Sequence, residues 1–150
     1  MDRSPYLIAA IPTVFAVFFA SSSSTVRLSV IFLYTIVRIK SILNKYQEEG
    51  KAVTGLKVNQ QSGESEKALM LALVKYNEMM ENVYEELAPH KICAYIYDLA
   101  NAFNHFYHET KILAEENEAK KQGYIALLIL TKKVLESCID VLGFEAPERM

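Results

Sequence analysis

Nine tyrosines and seven phenylalanines give this chain its main scope for chemistry. Reading unpaired RNA means stacking splayed bases on Tyr, Phe or Arg planes and hydrogen-bonding their edges. Most of these rings belong in a core, with tyrosine hydroxyls at its rim. Other chemistries are poorly supplied. His105 and His108, three apart on one helix face, could reach one ion, but two imidazoles without a further ligand make a weak site. Glu81, Glu85 and Glu86 form a solvated face with no apolar pocket to raise a pKa for acid–base work. No Gly-x-Ser-x-Gly elbow nominates a serine nucleophile, and no Gly-rich turn or strand–helix alternation is available to hold a nucleotide.

The elements that must position such side chains are helical. Ile31, Tyr34, Ile42 and Leu43, with Val37 and Ile39, predict a helix over about 28–46, with Arg38, Lys40 and Lys45 near its polar boundary. Residues 48–64 hold Gly50, Gly55 and Gly63 and no sustained period, which predicts a connecting loop. Leu69, Leu73, Tyr76, Met80, Val83 and Leu87 then form one continuous stripe from a start near Ser65. Ala88-Pro89 breaks the chain, with Pro89 suited to the first turn of the next helix, where Ile92, Ile96, Leu99, Phe103 and Phe106 repeat the spacing. A last helix from about Ala119 carries Leu127, Leu130, Val134, Cys138 and Val141. Gly143 and Pro147 end it. The expected architecture is an all-α antiparallel helical bundle.

At 150 residues the chain is long enough for one core. Five Gly, four Pro and no Trp, with long Leu/Ala/Glu/Lys-rich stretches, favour helices over strands. The net charge of −2 argues against a generic phosphate-coating protein. Residues 1–60 carry seven Lys/Arg against three Asp/Glu, and residues 61–150 carry nine against fifteen. RNA contact would therefore be local, through particular basic and aromatic side chains. Cys93 and Cys138 lie far apart in apolar helical settings, as buried free thiols do.

Residues Tyr6 to Ala20 are almost unbroken in apolarity apart from Pro12. Four serines, Ser21 to Ser24, follow, and then Val26 to Val37, broken by Arg27. A secretory signal would want a positive start, but Asp2 cancels Arg3. A membrane span needs about 20 apolar residues, more than the first run provides.

Three segments carry a resemblance. Tyr34-Thr-Ile-Val-Arg38-Ile-Lys-Ser-Ile-Leu43, then Ala102-Phe-Asn-His-Phe-Tyr107 leading into Lys111-Ile-Leu113, and finally Leu142-Gly-Phe-Glu-Ala-Pro-Glu-Arg-Met150 together resemble the C-terminal anticodon-binding bundle of arginyl-tRNA synthetases. That bundle is named after a recurring Asp-Ala-Leu-Arg stretch. The resemblance covers about residues 34–150. It implies that Tyr34, Arg38, Asn104, Tyr107 and Met150 contribute to the pocket around a tRNA anticodon loop. The set is chemically sensible: two rings to stack, a guanidinium for phosphate or base plane, an amide for an edge and an apolar chain end. On the residues alone, Asn104 could equally face solvent or cap a turn, and Arg38 could pair with a glutamate of the next helix. Tyr124-Ile-Ala-Leu127 stands where the name-giving stretch should fall, an aromatic replacing a basic residue.

The resemblance further implies an arginine tRNA as partner, rather than DNA, and a cytoplasmic location. It also implies no cofactor on this chain, since ATP and Mg²⁺ would serve the parent enzyme. The family's catalytic domain, with its His-Ile-Gly-His and Lys-Met-Ser-Lys-Ser-like motifs, should precede this region and is absent, so arginine activation is not expected here. That missing half could be a partner. The match fails upstream, where Ser29-Val-Ile-Phe-Leu33 replaces a Gly-Pro-Tyr-like approach. Residues 1–32 are therefore set apart from the bundle at 33–150, as a shifted frame, gene remnant or mispredicted start would produce. The alternatives are a membrane-anchored or secreted helical interaction module and an inactive pseudogene product.

Overall fold

The apolar spacing after Pro89 creates the central rod of the molecule, α4 (His90–Glu109). Its Ile92, Tyr95, Ile96, Leu99, Ala100, Phe103 and Phe106 recur every three or four residues, which aligns them on one helix face, and all are buried. The computed structural model describes residues 23–58 and 63–142, with side chains from Val30 onward. Among these residues stand α1 (Ser23–Glu48), α2 (Glu64–Val74), α3 (Tyr76–Glu86), α4 and α5 (Glu118–Leu142), with no strand. All four other helices pack on α4, giving the all-α bundle expected. None of the described helices is long and apolar enough to cross a membrane.

Two charged contacts set the direction of α5 against α1. Lys40 pairs with Glu136 at 3.9 Å while Glu49 pairs with Lys121 at 3.5 Å, so rising numbers on one helix meet falling numbers on the other. The pair is antiparallel. Its core is made by Phe32, Ile36, Ile39, Ile42, Leu43 and Tyr46 against Ile125, Leu128, Leu135 and Ile139. Buried hydroxyls are satisfied within their own helices, Thr35 donating to the Ile31 carbonyl at 2.9 Å and Thr131 to Leu127 at 2.8 Å. Gly50, at φ +77°, turns the chain out of α1 in the left-handed conformation that glycine adopts cheaply.

The expected elements form, with four departures. The helix expected over 28–46 already begins at Ser23. Its buried stripe is also rotated, centred on Ile36 and Ile39, which leaves Tyr34 about half exposed at the rim.

The stripe expected to run straight from Ser65 to Leu87 is broken at Lys75. In a continuous helix the Ala72 carbonyl would accept the N–H of residue 76. Here the Tyr95 hydroxyl donates to that carbonyl at 2.9 Å, an insertion into the ladder that kinks a helix. Burial holds the Tyr95 hydroxyl protonated by pushing its pKa well above the ordinary value.

Two stripe residues are not core. Leu87 takes the left-handed cap of α3 at φ +50° with its side chain 63% exposed. Leu130 is 43% exposed, at an open groove that α5 forms with Met70, Val74, Tyr76 and Asn77. The loop expected at 48–64 is present as coil over 51–58, and residues 59–62 lie outside the described residues. Gly143 and Pro147, expected to end α5, lie outside them as well.

Candidate nucleic-acid interface

Tyr34 and Arg38 are four apart on α1, and Asn104 and Tyr107 three apart on α4. Each pair therefore shares a helix face. Packing of α1 on α4 brings the four together around one guanidinium. The Arg38 Cζ lies 4.6 Å from the ring centroid of Tyr34 and 4.6 Å from that of Tyr107, within range of an attraction between a cation and a ring face. Arg38 Nη1 donates to Asn104 Oδ1 at 3.1 Å, and Nη2 donates to the Tyr34 hydroxyl at 2.7 Å. These partners, drawn from the described residues, are an amide, a hydroxyl and two rings. The glutamate pairing open to Arg38 from sequence does not form among them.

Among the described residues, two of the five N–H donors of the guanidinium are engaged. Tyr107 keeps 36% of its surface exposed while Phe103 backs its ring at 6.1 Å and His108 abuts it edge-on at 5.6 Å. The ring is fixed but open. Asn104 is half-buried behind Arg38, and its carbonyl oxygen is committed, so its first role is to set the guanidinium plane.

This cluster forms one wall of a cleft of about 550 Å³ between α1, the end of α4 and residues 110–114. Lys45 from α1 and Lys111 from the segment after α4 also line it, with Ser41 and His108, and among the described residues no carboxylate does. Ile112 is buried and anchors that segment, while Asn117 starts α5 by accepting the Lys120 N–H at 3.3 Å, as helix N-caps do. Lys45, seven residues from Arg38, was readable from sequence as its neighbour two turns on. Ser41, His108 and Lys111 were missed as lining residues, since only the path of the chain after Glu109 brings that segment over α1.

Of the five site residues implied by resemblance, the fold unites Tyr34, Arg38, Asn104 and Tyr107, and Met150 lies outside the described residues together with its tail. Tyr124, in the position where an aromatic replaces a basic residue, is a core ring packed edge-on against Phe106 at 5.6 Å. His105 stands beside Glu109 at 3.4 Å, and among the described residues no three His, Cys, Asp or Glu side chains are grouped to hold a metal. Glu81, Glu85 and Glu86 are exposed. Cys138 is buried and Cys93 half-buried, both free, and burial pushes each thiol up to about 12.

A helical bundle with a cationic cleft walled by two part-exposed tyrosines and an arginine held between them offers the kinds of group that stack on and pair with unpaired RNA. Residues 32–150 match the DALR anticodon binding domain, and the chain belongs to that family. It is 62% identical over 120 residues to the arginine–tRNA ligase of Agathobacter rectalis and 48% identical over 118 residues to that of Alkaliphilus oremlandii. Each match covers 79% of this chain and 20% of the relative, so the chain spans about a fifth of the length of these curated relatives. Among solved structures, Thermus thermophilus arginyl-tRNA synthetase matches with a TM-score of 0.69 at 28% identity, over 79% of this chain and 20% of that one. A putative arginyl-tRNA synthetase from Campylobacter jejuni matches in fold, with a TM-score of 0.71 at 21% identity, over 86% of this chain and 27% of its own.

Proposed function

We propose that this chain grips the anticodon loop of an arginine tRNA, as the anticodon-binding part of an arginine–tRNA ligase acting in the cytoplasm. The observation that carries the reading is the Arg38 guanidinium set between the Tyr34 and Tyr107 rings, in a cleft that Lys45 and Lys111 also line. Unstacked bases lie on the open ring faces. Arg38, Lys45 and Lys111 answer the phosphates between them. Asn104 and the Tyr34 hydroxyl hold the guanidinium in place before RNA arrives, which lowers the ordering cost of binding.

Met150 and its tail close the pocket in this reading. Joining arginine to the tRNA, with ATP and Mg²⁺, belongs to a separate catalytic part, and the bundle's share is to hold the loop so that the acceptor end reaches that part. This chain itself needs no cofactor for its task.

The test is a gel-shift or filter-binding titration of the full chain with an arginine tRNA and with a tRNA for another amino acid. Tighter binding of the arginine tRNA is expected. Replacing Tyr107 by Ala should weaken it by about 1–3 kcal/mol, the worth of one base–aromatic stack. An unchanged affinity in a variant that keeps its helical circular dichroism would remove the stacking role.

A further inference from the structure

Lys111 reaches the loop cleft from a segment that belongs to no helix. α4 closes where the Thr110 N–H donates to the Phe106 carbonyl at 2.9 Å, and α5 opens at Glu118. Between them, residues 110–114 line the cleft. Buried Ile112 pins the middle of that stretch to the core, whereas Lys111 itself is exposed. With no helical ladder of its own, the segment takes its path from its two ends. One end is α4, and the other is the first turn of α5.

That first turn is held from the end of α1. Lys51 Nζ donates to Glu118 Oε2 at 3.2 Å and lies 3.4 Å from Glu49 Oε2, the same oxygen that Lys121 Nζ reaches at 3.5 Å. Signs therefore alternate along Glu118, Lys51, Glu49 and Lys121. Glu118 and Lys121, three apart, share one face of α5, while Glu49 and Lys51 follow directly on α1, around the left-handed turn at Gly50. The Lys51 ammonium also stands 5.4 Å from the ring centroid of buried Tyr46, in reach of its π face. The Glu118 carboxylate beside it holds that ammonium above the ordinary lysine range. One exposed ion pair adds little to stability, because water screens it and both side chains must be ordered. Here one ammonium meets two carboxylates and a ring, and the effect is to fix geometry.

We propose that Lys51 is a positioning residue for RNA binding: by tying the first turn of α5 to the end of α1, it fixes the path of the segment that carries Lys111 to the cleft. The assignment rests on the loop-binding reading above. Lys51 stands outside the lining of the cleft, so it acts through Lys111 and touches no nucleotide itself.

The experiment titrates the full chain and its variants with an arginine-tRNA anticodon stem-loop. Lys51→Met should weaken binding on the order of threefold, and in a Lys111→Gln background it should cost nothing further, as coupled residues behave in a double-mutant cycle. Glu118→Gln breaks the same tie from its other side. It too should weaken binding, although loss of a negative charge would by itself tighten it. Lys51→Arg, which keeps the charge and can reach both carboxylates, should keep most of the affinity, and the urea midpoints of all these variants should stay close to that of the parent. Tighter or unchanged binding by Glu118→Gln overturns the positioning role while leaving loop binding intact. So do full additivity of the Lys51 and Lys111 losses and an affinity untouched by Lys111→Gln. Failure of the unaltered chain to bind the stem-loop overturns the loop reading and the positioning role with it.

Discussion

Arg38 holds its place through geometry more than through charge. One nitrogen reaches an amide on α4, another a hydroxyl one turn earlier, and the plane faces two rings. A lysine keeps the charge but has no planar fork to make these contacts at once. Arg38→Lys is therefore expected to weaken RNA binding by about 1.5 kcal/mol, the worth of a charge-assisted hydrogen bond, with the salt dependence of affinity unchanged because the charge count is the same. A titration at several salt concentrations checks both parts, and a shallower slope would show that charge, not shape, had been lost. The residue types of this site were legible from resemblance, but their arrangement was not. Asn104 was open between solvent, cap and base edge, and only the approach of α1 to α4 shows it fixing the arginine. Lys111 was quoted as part of a motif without a place, because the turn after Glu109 that carries it over the cleft leaves no periodic trace.

At the scale of elements, periodicity was informative where a helix buries one simple face and misleading where a distant group intervenes. Each apolar residue expected on α4 is buried, since that helix sits at the centre of the bundle. The single stripe expected from Ser65 to Leu87 failed at Lys75 because its cause is the hydroxyl of Tyr95, more than one helix away. Tyr95→Phe removes that hydrogen bond at the price of a partly buried partner, and is expected to lower stability by about 1 kcal/mol in urea unfolding. The other end of the stripe failed for a backbone reason. Leu87 satisfied the spacing, but the turn towards Pro89 requires a left-handed residue, and its exposed side chain gains little from packing. A side chain in that conformation costs roughly 1–2 kcal/mol relative to an unstrained one. Leu87→Gly is therefore expected to raise stability by about 1 kcal/mol in the same assay, and a loss would mean that the leucine side chain packs in the folded protein after all.

Across the whole molecule, the two thiols couple folding to alkaline pH. Their apolar helical setting was legible in the sequence, but their proton affinity follows from the bundle closing around them. In the unfolded chain both titrate near 9.0, whereas burial in the native bundle moves each to about 12. Below pH 9 both states keep these protons, so the thiols give stability no slope. Between pH 9 and 12 the unfolded chain releases protons that the native chain retains, and stability falls as pH rises. The expected decline is at most about 1.4 kcal/mol per pH unit for each thiol. Lysines and tyrosines also titrate in this window, so the informative comparison is with Cys93→Ala/Cys138→Ala, which is less stable at neutral pH because small cavities replace the sulfurs. Urea unfolding of both proteins from pH 8 to 11 should show the steeper fall in the parent chain, with the gap between them narrowing above pH 9. Parallel curves would mean that the thiols ionise as readily in the folded bundle as outside it. Alkylation by iodoacetamide at pH 8 should then agree: slow in the native chain, because the reactive thiolate is suppressed and Cys138 is buried and Cys93 half-buried, and fast once urea opens the bundle.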